Sequence, residues 1–192
     1  MPIRTPNECL LTNTGKITVG KYLEMEEQRD AKGIADLVHE RFYERYIKPF
    51  KYSEYKNGFI MMASACLMIE ALESFWQGWP KSPNSALAFC QFFDRNSRFS
   101  SLRGSSQDFY SNVRCGIMHQ GETTNGWRIS RKLHTLFDSP SKTIDATRFL
   151  KEMENSLLDY CATLEKAAWN SQQWKNLRKK MKSVCDNTKQ KE

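Results

Sequence analysis

The 192-residue chain lacks the short motifs by which many enzymes bind nucleotides, metals or acyl groups. It has no glycine-rich phosphate-binding loop, no dinucleotide-binding glycine pattern and no Gly-x-Ser-x-Gly nucleophile turn. It holds only three histidines, and its six cysteines include no Cys-x-x-Cys pair. These absences argue against an NTP-dependent enzyme, a serine hydrolase and a zinc site, and we predict no metal and no cofactor.

Long apolar runs and secretion signals are also missing from the sequence. No eighteen consecutive apolar residues occur, and the first fifteen residues lack a charged start followed by an apolar stretch. Several cysteines lie inside apolar stretches, as Cys66 does in ASACLMI. Such thiols usually stay reduced and behave as small hydrophobic side chains. We therefore expect a cytoplasmic protein with no membrane span.

Acidic charge is scarce at one end of the chain. The formal net charge is +7, and residues 166–192 carry eight Lys or Arg and two acidic residues, which gives +6. A basic end favours a polyanion such as RNA as partner, and Lys175, Arg178 and Lys179 are then candidate backbone contacts. Alternatively, Trp169 and Trp174 dock a last helix onto the protein while its lysines face solvent.

Apolar residues recur at spacings of three and four through most of the chain, which is typical of amphipathic helices. The predicted fold is an all-α, single-domain bundle of five or six helices over residues 21–183, with a small β-hairpin around residues 127–144. Residues 1–20 are predicted as an extended arm with a short strand at KITVG, and residues 184–192 as a disordered basic tail. The predicted helices cover about 30–49, 59–76, 84–94, 105–121, 145–169 and the basic last segment.

The helix over residues 59–76 is apolar on nearly every side, which favours a place at the centre of the bundle. Its polar exceptions include Glu70 and Glu73, which share one face with Ser74 and Gln77. Buried carboxylates are costly unless they are paired. This face therefore needs a cationic partner or an opening to water.

The stretch NVRCGIMHQGE places Arg114 and His119 five positions apart on a predicted helix that Gly121 ends. Five residues turn an α-helix by about 140° net, so the two side chains do not share a face. Where two such helices meet across a two-fold axis, both pairs converge on one cleft. Histidine transfers protons near neutral pH and arginine clamps phosphate, so the pair suits phosphodiester chemistry. The alternative is that two polar residues are neighbours by chance.

The longer stretch FYSNVRCGIMHQGE resembles the Arg-x(4–6)-His motif of HEPN domains, which are helical and mostly dimeric. Many members are metal-independent ribonucleases of toxin–antitoxin, abortive-infection and CRISPR-linked systems. The resemblance implies that Arg114 and His119 are catalytic, that their helix forms a homodimer, and that an antitoxin or another regulatory protein is a partner. It also implies an acidic contact for the arginine from an earlier helix, for which Glu70 and Glu73 are the candidates.

Further residues near the motif are candidates for supporting roles. Tyr110 lies about one turn before Arg114 and on the same side, and Asn112 also precedes the arginine. Cys115 occupies the position where many family members have Asn, His or Asp. Trp127 and Arg128 would stack on and clamp an RNA base, unless Trp127 caps the core.

Three functions follow from these observations. The first is a HEPN-like endoribonuclease that cleaves RNA through its 2′-hydroxyl in a toxin or antiviral defence role. The second is a non-catalytic HEPN-like module that binds RNA or protein and dimerises. The third is an unrelated helical interaction protein.

Overall fold

The computed structural model describes residues 5–52, 54 and 56–189. The protein is 69% helical and has one small three-stranded sheet, so the mostly α fold class is confirmed. The strands are β1 (Arg128–Ser130), β2 (Phe137–Asp138) and β3 (Thr143–Asp145). The helices are α1 (Val19–Glu27), α2 (Ala31–Phe42), α3 (Gly58–Gln77), α4 (Ser85–Arg95), α5 (Ser106–Phe109), α6 (Cys115–Gln120), α7 (Ala146–Lys166) and α8 (Gln172–Lys189).

The chain forms two compact units, and α3 and α7 contribute residues to both. The first unit comprises Met1–Arg45, Ser74–Lys81 and Leu157–Glu192. The second unit comprises Tyr46–Glu73 and Ser82–Ser156.

In the first unit, α1 replaces part of the predicted extended arm. Thr18 caps this helix because its side chain accepts a hydrogen bond from the Lys21 amide. The strand predicted at KITVG is reduced to a single antiparallel bridge between Leu10 and Thr18. The capping threonine is a sequence signal for a helix start, but α1 buries only Val19 and Tyr22, too few apolar residues to show a helical period. Residues 1–4 of the predicted arm lie outside the described residues.

The last helix extends through most of the predicted disordered tail. α8 continues to Lys189, and Cys185 within it is buried. Trp174 and Leu177, which precede it on the same face, are fully buried, and the Trp174 indole Nε1 donates to the Leu164 carbonyl at 3.1 Å. The helical spacing of buried apolar residues therefore continues through the basic segment. The prediction of a disordered tail is wrong for residues 184–189.

In the second unit, a cluster of aromatic rings forms the core. The predicted polar connection after α4 is a 3₁₀-helical segment, Ser97–Ser105, and it buries Phe99 and Leu102. Six phenylalanines are fully or almost fully buried and contact one another. They are Phe89, Phe92, Phe93, Phe99, Phe109 and Phe149.

The small sheet differs from the predicted hairpin in its pairing. β1, at the start of the predicted hairpin region, pairs in parallel with β3, and β2 pairs antiparallel with β3. The central strand, TID, crosses the predicted boundary, because Thr143 and Ile144 fall in the predicted hairpin region and Asp145 at the predicted start of the following helix. Asp145 ends that strand and caps α7 by accepting from the Arg148 amide at 2.8 Å, so it belongs to both elements.

Helix α3 begins at Gly58 after Asn57, whose side chain accepts from the Phe59 amide at 2.9 Å. By length and composition it is apolar enough to cross a membrane, with a mean hydropathy of 1.5. However, 56% of that window is buried inside the protein, and core helices of soluble proteins meet the same test. Burial on all sides was predicted, but Ile60 is 58% exposed and Leu67 is 43% exposed.

Candidate functional site

A π-helical turn, Tyr110–Arg114, joins α5 to α6 and delivers the motif arginine. The amide of Cys115 donates to the Tyr110 carbonyl five residues back, which is the bond that defines such a turn. Val113 and Phe109 are both fully buried, and Arg114 emerges beside them. π turns of this kind are rare and frequently lie at functional sites.

Arg114 forms an ion pair with Glu70 of α3. Its Nε donates to Glu70 Oε1 at 2.8 Å, and the Ser85 hydroxyl donates to Glu70 Oε2 at 2.7 Å. The Arg114 and Glu70 side chains are 17% and 18% exposed. Within the described residues the two Nη groups of Arg114 make no hydrogen bond, so they remain available to an anion that enters from solvent.

The environment of Arg114 keeps it charged. Partial burial lowers its pKa, but the hydrogen bond and the charge of Glu70 outweigh burial and raise the pKa of Arg114 overall. Its Cζ atom lies 5.7 Å from the centre of the Tyr110 ring, which is cation–π contact distance. Burial and a hydrogen bond with Cys115 raise the pKa of Tyr110, so its phenol stays neutral. Tyr110 and Cys115 therefore lie in the immediate surroundings of the arginine.

Glu73, the second predicted partner of Arg114, pairs with Arg95 of α4 instead. Arg95 Nη1 donates to Glu73 Oε1 at 2.8 Å, and Nη2 contacts Oε2 in a second, shorter bond. The Glu73 side chain is 0% exposed. The fork geometry satisfies both carboxylate oxygens, which is what a charge at this depth requires.

His119 lies in the last turn of α6, and its side chain is exposed. No hydrogen bond or ion pair engages it among residues 5–52, 54 and 56–189. Gly121, with φ 72°, ends the helix two residues later, as the sequence indicated. The imidazole thus faces solvent, five positions after Arg114, where a bound substrate would have access to it.

Asn112 is held by hydrogen bonds within the protein. Its Nδ2 donates to Asp108 Oδ1 at 2.7 Å, and its Oδ1 accepts from the Thr124 hydroxyl at 2.8 Å. Asp108 also accepts from Trp127 Nε1 at 2.8 Å and from Lys142 Nζ at 3.3 Å. Burial alone would raise the pKa of Asp108, but these donors lower it overall. Asp108 therefore anchors the loop after α6 to the motif helix, a role that the sequence did not reveal.

Trp127 is a core residue, and the prediction that it stacks on an RNA base is wrong. It is 3% exposed, and its ring stacks on Phe137 with centroids 5.2 Å apart and meets Phe109 edge-on at 5.9 Å. Almost none of the ring is therefore accessible to a base. Arg128, the next residue, is exposed on β1.

The basic residues of α8 belong to the other compact unit. Lys175 and Lys179 are exposed. Arg178 packs over the Trp169 ring at 5.1 Å and donates to the Trp169 carbonyl at 3.2 Å. The docked arrangement is thus the one observed for Trp169 and Trp174, and Arg178 supports it.

All six cysteines are free, and four are buried. Burial raises the pKa of the Cys66 thiol, which lies near the Arg114–Glu70 pair. In the part of the chain that the structure describes, no group of three or more His, Cys, Asp or Glu is placed to hold a metal ion.

Comparison of the chain with models of protein families, with curated proteins and with solved structures finds no match. What the site does is therefore inferred from its own residues. The structure brings Arg114, Glu70, Tyr110 and Cys115 together, with His119 on the same helical segment. Ser85 was missed, because a serine at the start of a helix gives no signal for a contact with a distant carboxylate.

Proposed function

We propose that the protein is a metal-independent, HEPN-type endoribonuclease of the cytoplasm, with a toxin or antiviral defence role. The observation that carries the proposal is the state of Arg114. Glu70 fixes the guanidinium through Nε alone, and the two Nη groups have no acceptor among the described residues. An arginine held in this way presents a preorganised fork for a phosphate, with the exposed His119 five positions further along.

The chemistry suits RNA because RNA carries its own nucleophile. The Nη donors of Arg114 bind the non-bridging phosphate oxygens and stabilise the charge that develops on them. The reaction takes a proton from the 2′-hydroxyl and gives one to the departing 5′-oxygen. His119 makes one of these transfers, and solvent water makes the other. A bond forms between the 2′-oxygen and phosphorus, and the bond from phosphorus to the 5′-oxygen breaks. The products are a 2′,3′-cyclic phosphate and a 5′-hydroxyl.

A second copy of the chain completes the proposed site. Leu67 lies three residues before Glu70 on α3, and Met118 lies four residues after Arg114, so each shares a helix face with one member of the ion pair. Leu67 is 43% exposed and Met118 is 44% exposed. These exposed apolar side chains offer a surface for a partner to cover. We expect a homodimer through this helix, with an antitoxin or other regulatory protein as a further partner.

The test is cleavage of mixed-sequence RNA in EDTA by the wild type, His119→Ala and Arg114→Ala. His134→Ala is a matched control because His134 is an exposed histidine remote in sequence from the motif. We expect the wild type and the control to produce 2′,3′-cyclic phosphate ends, and the two motif variants to produce none. Equal cleavage by the wild type and His119→Ala would refute the site.

One observation favours the alternative, a non-catalytic HEPN-like module for binding and dimerisation. Arg114 is only 17% exposed and is already ion-paired, as a purely architectural arginine would be. This alternative predicts that the wild type dimerises and binds a partner without cutting RNA. Analytical ultracentrifugation of the wild type and Met118→Glu, together with the cleavage assay, separates the two functions.

A further inference from the structure

Two adjoining cavities lie along the first turns of α7, in the same compact unit as Arg114. Their volumes are about 650 Å³ and about 250 Å³. Thr147 and Lys151 line both cavities, and residues four apart on a helix lie on one face. The cavities therefore form one surface along α7, named here the α7 groove.

The α7 groove concentrates positive charge. Its lining includes six cationic and three acidic side chains, a net charge of +3, whereas all of residues 1–165 together sum to only +1. A concave surface with one excess sign focuses the field and attracts ligands of the opposite sign. The cations are Lys51, Lys56, Arg98, Arg131, Arg148 and Lys151.

The acidic side chains of the groove are engaged by protein donors. Asp145 is 1% exposed and accepts from the Leu133 amide at 2.9 Å and from the Arg148 amide at 2.8 Å. Glu152 pairs with Arg98 at 3.2 Å, and Glu154 accepts from lysines of the groove at 2.9 and 3.2 Å. A ligand that enters the groove therefore meets carboxylates whose charge is already compensated.

Two arginines of the groove are oriented by backbone carbonyls. Arg148 Nε donates to the Leu133 carbonyl at 2.9 Å, and Arg131 Nη1 donates to the Lys56 carbonyl. A carbonyl contact holds the guanidinium in place without neutralising it, and each guanidinium has further N–H donors. The groove thus presents fixed cationic forks, which suit phosphate oxygens.

The size and walls of the groove fit a ligand larger than a single inorganic ion. Pockets for organic ligands typically occupy about 300–1,000 Å³, and the larger cavity falls within that range. Leu133 and Leu136 contribute apolar wall to it, and Phe50, Met61 and Leu150 contribute apolar wall to its neighbour. The cations of the groove suit the phosphates of a nucleic-acid strand, and the apolar walls suit its bases.

The groove and the Arg114 site are linked through α3. Arg131 contacts the carbonyl of Lys56, just before α3 begins at Gly58. Glu70, the partner of Arg114, follows twelve residues after Gly58, which is a rise of about 18 Å along the helix. A single strand of several nucleotides spans such a distance.

We propose that the α7 groove binds the sugar–phosphate backbone of single-stranded RNA at a site separate from the Arg114–His119 pair. The identification of the strand as RNA rests on the proposed ribonuclease function, whereas the anion-binding character of the groove does not. The groove positions the strand, and the motif pair acts on a phosphodiester several nucleotides away.

The test measures binding of the full chain to a fluorescent 2′-O-methyl RNA oligonucleotide by anisotropy over a range of salt concentrations. This probe lacks the attacking hydroxyl, so binding is measured independently of cleavage. The groove variant is Arg131→Gln with Lys151→Gln. The control, Lys21→Gln with Lys32→Gln, removes the same charge from two exposed lysines of α1 and α2. A second variant, Thr147→Glu, adds a negative charge at an exposed position in the first turn of α7, where an acidic residue favours the helix.

We expect the groove variant and Thr147→Glu to bind about tenfold more weakly than the wild type, a change of about 1.4 kcal/mol. The slope of log affinity against log salt should fall by about 0.7 for each lost phosphate contact. The proposal is overturned if the groove variants bind as tightly as the control, or if the wild type prefers polyphosphate to RNA. RNA cleavage is measured separately. Unchanged binding by the groove variants would therefore overturn the groove proposal without affecting the cleavage result, and a lack of cleavage would leave the binding result unaffected.

Discussion

Two carboxylates on one helix, Glu70 and Glu73, form arginine pairs with different surroundings. Glu73 is fully buried, and Arg95 grips both of its oxygens. Glu70 is 18% exposed and binds Arg114 through Nε alone, with Ser85 on its other oxygen. Arg95 directs both arms of its fork at a fully buried carboxylate, although its own side chain is 32% exposed, whereas the Nη groups of Arg114 have no acceptor among the described residues.

The difference separates a structural ion pair from a candidate site. A buried pair is expensive to break, because removal of one partner leaves a charge without solvent. In the Glu70 pair both side chains are partly exposed, at 18% and 17%, so water screens the pair and it contributes less to stability. The Glu73 pair should therefore control folding, and the Glu70 pair should control activity.

Loss of Arg95 should have the largest effect on stability. Arg95→Ala removes the cationic partner of the fully buried Glu73 carboxylate, and we expect a loss of about 3–5 kcal/mol in the free energy of unfolding. Urea denaturation measures this loss. Arg103→Ala, at an exposed position on the neighbouring 3₁₀ segment, should stay within about 0.5 kcal/mol of the wild type. Similar losses for the two variants would contradict the structural role of the Glu73 pair.

Substitution of Arg114 by lysine should affect activity more than folding. Lys retains the charge but lacks the fork that binds Glu70 and a phosphate together. We expect RNA cleavage to fall about 100-fold, equivalent to about 2.7 kcal/mol at the transition state. Single-turnover cleavage rates, beside urea denaturation, measure both quantities. Full activity in Arg114→Lys would show that the fork is not required.

Neutralisation of each carboxylate compares the two pairs directly. Glu70→Gln retains an acceptor for Arg114 Nε and a partner for Ser85, so we expect little change in stability and about tenfold slower cleavage, or about 1.4 kcal/mol. Glu73→Gln should instead lower stability and leave the cleavage rate per folded molecule unchanged. The comparison fails if the two variants lose stability and activity in the same proportion.

Acid should weaken the anchor of the motif helix through Asp108. Because the folded protein lowers the pKa of Asp108 from its ordinary value of 3.8, the carboxylate stabilises the fold at pH values above that value. This contribution is lost as the pH falls through the lower, folded-state pKa. The stability difference between the wild type and Asp108→Asn should therefore be constant above about pH 5 and shrink on acidification. Urea denaturation between pH 6 and pH 2.5 measures it, and a pH-independent difference would contradict this role.

The sequence predicted the long helices well, because their apolar periods and end signals agree. Asn57, Gly78 and Gly121 mark helix ends in both the sequence and the structure. Prediction from the sequence failed where tertiary contacts, rather than the local pattern of residues, determine the structure. The central strand at Thr143–Asp145 has three residues, too few to show a period, and its pairing depends on two segments distant in sequence.

The sequence indicated that the face of Glu70 and Glu73 needs a cation, but not which arginine serves which glutamate. Both glutamates lie about one turn apart, so spacing on α3 alone does not distinguish them. Burial decides between them, and burial depends on α4, which supplies Arg95. Trp127 shows the same limit. A tryptophan followed by an arginine looks the same in the sequence whether the tryptophan is buried in a core or exposed at an RNA site.

The π turn at Tyr110–Arg114 gives the motif an unusual tolerance of length. It holds one more residue than a regular α-helical turn, and the wider turn takes up that residue locally, so the helix on either side keeps its phase. Deletion of the exposed Ser111 would therefore restore a regular turn without rotating the residues after it, and Arg114 would still face Glu70. Loss of a residue from a regular part of the helix would instead rotate everything after it by about 100°. The turn is thus the point at which the motif helix can lose one codon and keep the arginine pair.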